Sequence, residues 1–185
     1  MEERKEHAVL RFVDQNGWSY MVNDCVKGCS LMEYIKQGIQ VEKETVFGWM
    51  GQLARQLEQY YRCGNEDVAY GYVNPYAVII TGEGTLCLLD INEPENEELL
   101  RQMKKKKIRM LFVRKERVLS QKTERSDDLY GLAKTMEFAV EKCLNPKAFT
   151  RKEDRVFKRI TGKCYGSGKN AGKVLKSIQK EVDLL

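Results

Sequence analysis

Residues 70 to 92, YGYVNPYAVIITGEGTLCLLDIN, constrain the fold of this 185-residue chain more than any other stretch. Two short apolar runs, Ala77 to Thr81 and Leu86 to Leu89, consist largely of the β-branched residues and leucines that suit strands. Gly82-Glu83-Gly84 joins them with the backbone freedom that a hairpin turn needs. A hairpin this apolar has to be buried, so the remaining chain is expected to cover it. A loop around Asn74-Pro75 precedes it, and a lone carboxylate, Asp90, ends the second strand where a functional acid would emerge from a sheet.

The flanking segments supply strands first and helices afterwards. Ala8 to Val26 reads as two strands around Asn16-Gly17, a dipeptide suited to a turn in which both central residues have positive φ. From Thr45 to Cys63, Val46, Met50, Leu53, Leu57 and Tyr60 or Tyr61 recur every three to four residues, the mark of a helix with one buried face, and Gly64 is placed to stop it. Ser126 to Cys143 carries a second such stripe, with Ser126 or Asp127 placed to cap its first turn. Lys152 to Cys164 and Gly172 to Leu184 complete the helical set. These elements predict an α+β fold in one domain spanning residues 1–185, with the strand pair at 8–26 and the helical part at 27–185.

Charge divides the chain unevenly. Residues 1–100 hold 8 Lys and Arg against 17 Asp and Glu, a net of −9, whereas residues 101–185 hold 24 against 10, a net of +14. The basic density peaks at Lys104, Lys105, Lys106, Lys107, Arg109, Arg114, Lys115 and Arg117. Such a run is either a solvated loop balanced by the acidic half, or a surface for a protein, nucleic acid or anionic membrane partner. No apolar run approaches the roughly 20 residues of a membrane helix, and the charged start, Met1 to Glu6, does not suit a signal peptide, so a cytoplasmic setting is expected. Six cysteines without a C-x-x-C pair then read as reduced, buried thiols, and spacing alone does not join His7 to Cys25 and Cys29 in a metal site.

Laid against known catalytic motifs, residues 70–92 resemble the centre of a protein kinase, where H-R-D-L-K-P-E-N leads through two strands to D-F-G. The resemblance extends to Asp24–Ile35, which looks like the kinase hinge and the short helix after it, and to SDDLYGLAKTMEF, which looks like the helix written S-D-x-Y-S-L-G-x-x-L-x-E. It points to bacterial kinase-like proteins and implies a mainly helical carboxy-terminal lobe with a reduced β amino-terminal part. On this alignment Tyr72 replaces the catalytic Asp, Asn74 the loop lysine and Ala77 the metal-binding Asn, while Pro75 and Asp90 are kept. Asp128 falls at the acid that holds the catalytic-loop backbone. Glu93 to Glu124 corresponds to the activation segment, with Glu116 nearest the A-P-E glutamate and Lys169 nearest its cationic partner.

The resemblance therefore implies a pseudokinase, an inactive kinase fold used for interaction or regulation, with no cofactor, no metal and an unidentified protein partner. A phenol with an ordinary pKa of about 10 is no carboxylate base near neutral pH, and alanine ligates no magnesium. Two rivals differ in class: a residual nucleotide switch or unorthodox phosphotransferase using Asp90 with Asp24 or Asn92, and an anion-binding adaptor working through residues 104–117. Gly166 to Lys173 imitates a phosphate loop, but five residues separate Gly166 from Gly172-Lys173 and Val174 stands where a hydroxyl would bind magnesium.

Overall fold

A computed structural model describes residues 4–64, 67–166 and 170–185. The chain begins with β1 (Lys5–Gln15) and β2 (Trp18–Ser30), paired antiparallel from Gln15 opposite Trp18 to Lys5 opposite Gly28. Asn16 and Gly17 turn between them with φ of 52° and 77°, as the dipeptide predicts. The strand boundary expected at Val26 falls at Ser30 instead. Residues 24–30, read as a hinge, continue β2 and pair with β3 (Val78–Thr81), Gly28 opposite Thr81 and Ser30 opposite Ile79. A side chain on Gly28 would overlap the Ile80 carbonyl oxygen, so this crossing depends on glycine.

β4 (Leu86–Leu88) returns beside β3, giving the order β1-β2-β3-β4, and a bridge from Val9 to Leu89 curls the first strand back onto the end of the last. Ser30 starts α1 (Leu31–Lys36) with a capping box: its hydroxyl accepts from Glu33 N–H while the Glu33 carboxylate accepts from Ser30 N–H. The central helix α2 (Lys43–Cys63) buries Val46, Met50, Leu53, Leu57 and Tyr61 along the expected stripe. Its polar side is used as well. Gln52 accepts from Leu86 N–H, and Gln56 accepts from Leu88 N–H and donates to Leu86 C=O, so side chains one turn apart satisfy the outer edge of β4.

Residues 97–112 differ from expectation. Where an activation-segment loop was expected, a 3₁₀ turn (Pro94–Asn96) leads into α3 (Glu97–Lys104) and α4 (Lys106–Phe112), and a second turn spans Lys115–Arg117. The helices form because Met103, Ile108 and Phe112 reach the core while lysines and arginines, which tolerate helix well, take the outside. α5 (Arg125–Cys143), α6 (Arg151–Gly166) and α7 (Ala171–Asp183) follow. The cap of α5 is Glu124, in a reciprocal box with Asp127, instead of Ser126 or Asp127. α2 packs against α5, α7 and β4, and a single hydrophobic cluster joins sheet and helices.

Candidate functional site

The loop before β3 is held from below by one carboxylate. Asp128, in the first turn of α5 and 1% exposed, accepts from Tyr70 N–H and Gly71 N–H at 2.7 Å each and from the Tyr61 hydroxyl at 2.7 Å. Burial pushes its pKa up from 3.8 to about 6, and the three donors oppose that rise. The phenols of Tyr61 and Tyr70 are pushed well above their usual range, again chiefly by burial. Tyr61 therefore stays a proton donor to Asp128. Gly71 has φ of 85°, a left-handed conformation that glycine adopts without strain.

Above this anchor the loop folds on itself. Asn74 donates from its amide to Tyr72 C=O and accepts from Tyr76 N–H, which closes the turn into Pro75. Pro75 C=O accepts from Met32 N–H and joins the loop to α1. Ala77 is fully buried, so nothing at that position reaches solvent. Tyr70 lies inside the protein and donates to Leu89 C=O at 2.7 Å, and Tyr76 is buried with the Lys36 ammonium 5.6 Å from its ring centre. Tyr72 is half-buried and lines a cavity of about 20 Å³, room for a single water, shared with Met103, Ile108 and Phe112.

Asp90 does not open onto a cleft. It is 5% exposed, and its carboxylate accepts from Asn92 N–H two residues on. β1 lies across it: Asp90 N–H donates to Ala8 C=O at 3.0 Å, beside the Val9–Leu89 bridge. The Asn96 amide clamps both segments by donating to Ala8 C=O at 2.8 Å and Asp90 C=O at 2.7 Å. Asp24, opposite Val9 on the strand pair, is half-buried and paired with Arg11. Asn96 does not stand out in the sequence, and Tyr61 is legible there only as an apolar position, not as a donor to Asp128. The signal for Tyr61 was its place in the α2 stripe, whereas Asn96 had none beyond following a proline turn.

The basic run separates into two sets. Arg109 donates to the carbonyls of Arg117, Val118 and Ser120; Arg114 donates to Tyr165 C=O and lies over the Tyr130 ring; Arg117 pairs with Glu124 at 2.6 Å. These three, grouped in sequence with the surface lysines, serve the fold. Lys104, Lys105, Lys106, Lys107 and Lys115 are exposed with no ion pair among the described residues. Glu116 is likewise exposed with no ion pair among them, and Lys169, its expected partner, lies outside the described residues together with Ser167 and Gly168 of the glycine-rich run. All six cysteines are free thiols, but only Cys143 and Cys164 are buried; Cys25 is exposed on β2, contrary to expectation, because the strand pair there has one open face. Burial pushes the Cys164 thiol up to about 12.

No protein-family model matches the chain, and no curated protein matches it in sequence. Among solved structures it resembles a kinase fragment, PpkA-294 in its apo form, with a TM-score of 0.55 and 14% identity. The match covers 92% of this chain and 66% of that one, so the chain spans a little under two thirds of its neighbour's length. At this identity the likeness concerns fold alone, and the fold is α+β and kinase-like. Among the described residues, no helix is long and apolar enough to cross a membrane.

Proposed function

We propose that this protein is a cytoplasmic pseudokinase, a kinase-fold module that transfers no phosphate and works by contacting a partner. The observation that carries the proposal is the covering of Asp90 by β1, with Ala8 C=O on its amide and Asn96 clamped across both. Phosphoryl transfer needs a base for the hydroxyl, ligands for the bridging metal and cations for the developing charge. At the corresponding positions Tyr72 has a phenol, Asn74 uses its amide to close its own turn, and Ala77 has only a methyl. The one remaining acid, Asp90, directs its carboxylate to the Asn92 amide.

The contacting role draws on the strand pair beyond β3. Val13, Trp18, Tyr20 and Val22 share one face of that ribbon, at 41%, 70%, 50% and 42% exposure. Exposed aromatic and branched side chains grouped in this way are the kind that anchor protein interfaces.

Thermal unfolding with excess ATP and magnesium tests the proposal. A site occupied at a hundred times its dissociation constant would add about 2.7 kcal/mol to stability, whereas the expected shift is nil. A clear stabilisation, or phosphate transfer from labelled ATP that disappears in Asp90→Ala, would overturn it in favour of a residual nucleotide site.

A further inference from the structure

Between Met103 and Ser120 the chain carries apolar side chains on two sides, and the fold uses one of them. Met103, Ile108 and Phe112 turn inward at 1%, 7% and 3% exposure and hold α3 and α4 to the core. On the outer side Met110, Leu111 and Leu119 stand at 64%, 52% and 87% exposure. Arg109, next to Met110 in α4, fastens the loop that carries Leu119 against that helix through its bonds to the carbonyls of Arg117, Val118 and Ser120. Around them are Lys104 to Lys107 and Lys115, exposed and without an ion pair among the described residues. The arginines of this run fold the segment, and the lysines and outer aliphatic groups are left to solvent.

We propose that this face docks on an anionic lipid surface, the lysines among headgroup phosphates and Met110, Leu111 and Leu119 at the acyl boundary. Clustered lysines fix the sign of the partner, and the exposed aliphatic groups indicate which polyanion it is. A duplex offers little apolar surface to three exposed aliphatic groups, short of wedging them between base steps, and the segment's one aromatic ring, Phe112, is in the core and cannot stack on a base. None of the three lines a described cavity. They project outward, and a fluid bilayer conforms to such a knob, whereas an acidic protein would need a preformed hollow. Nucleotide plays no part in this docking, so vesicle binding and the ATP test succeed or fail separately.

The test is co-sedimentation of the full chain with phosphatidylcholine vesicles, alone or with about one third phosphatidylglycerol. Binding is expected only to the mixed vesicles, and it should weaken at least about tenfold between roughly 0.05 and 0.5 M salt. Combined Lys104→Ala, Lys105→Ala, Lys106→Ala and Lys107→Ala should weaken it by a similar factor. Leu111→Ser with Leu119→Ser should weaken it about fivefold or more with only a small drop in the thermal midpoint, since Leu119 is almost fully exposed and Leu111 about half exposed. Three results would overturn the proposal: no binding to mixed vesicles at low salt, binding that neither variant alters, or loss in the lysine variant alone with equal affinity for duplex DNA.

Discussion

Asp128 is ionised at neutral pH only at a cost. Its folded pKa of about 6 lies above the ordinary 3.8, so between those values the folded chain binds the extra proton. Stability from this group therefore falls as pH rises from about 4 to 6, a change on the order of 3 kcal/mol for a shift of this size. Urea unfolding between pH 4 and 7 should show that decline as a difference between the native chain and Asp128→Asn, in which position 128 does not titrate, because His7, its pKa lowered by burial, adds an opposite slope to both. Asp128→Ala should be destabilised at every pH. It strands two amides and a phenol in the interior, at about 1–3 kcal/mol for each donor left without an acceptor. Asp90, also buried, differs in kind because it serves its own turn. Asp90→Ala should cost about 1 kcal/mol, measured by the same unfolding curves.

Among the elements, α5 and α6 each contain a glycine whose replacement by alanine has the opposite expected sign. Gly131 of α5 faces Val73, and a methyl group there would overlap the Val73 carbonyl oxygen. Alanine gains at most about 1 kcal/mol of helix propensity, less than the roughly 1–3 kcal/mol of overpacking, so Gly131→Ala should lower the thermal midpoint. Gly162 of α6 has open space around it, and Gly162→Ala should raise the midpoint. The same contrast explains what was legible. The α2 and α5 stripes could be read because a continuous helix repeats its core positions regularly. α3 and α4 could not, because the break at Lys105 (φ −61°, ψ 134°) interrupts the stripe and leaves Met103 out of phase with Ile108 and Phe112. The glutamines of α2 were missed because an apolar pattern says nothing of the polar side chains that finish a sheet edge.

For the molecule as a whole, the junction of β1 with the end of β4 decides whether the protein has a cleft. Asn96 is the hinge pin of that junction, 1% exposed and bonded to both segments. Asn96→Ala should cost about 1–3 kcal/mol and speed hydrogen exchange at the Asp90 amide, while exchange in the middle of α2 stays slow. Equal acceleration at both places would mean that the closure is no separate unit. Charge acts at this scale as well, because the stretch where the basic density of residues 101–185 peaks is one that the arginines fold and the lysines leave exposed.

The sequence by itself determined the turn at Asn16-Gly17, the buried hairpin, the two long helices and the placing of Asp128 under the loop. Each of these is local, written in neighbouring residues or in one helical period. Only the tertiary structure decided that Asp90 lies beneath β1 and that Arg109, Arg114 and Arg117 belong to the fold while their lysine neighbours do not. The physical reason is distance along the chain. A backbone bond between Ala8 and Asp90 leaves no mark on either sequence neighbourhood, and a cation's partner is chosen by packing that brings remote carbonyls and carboxylates to it.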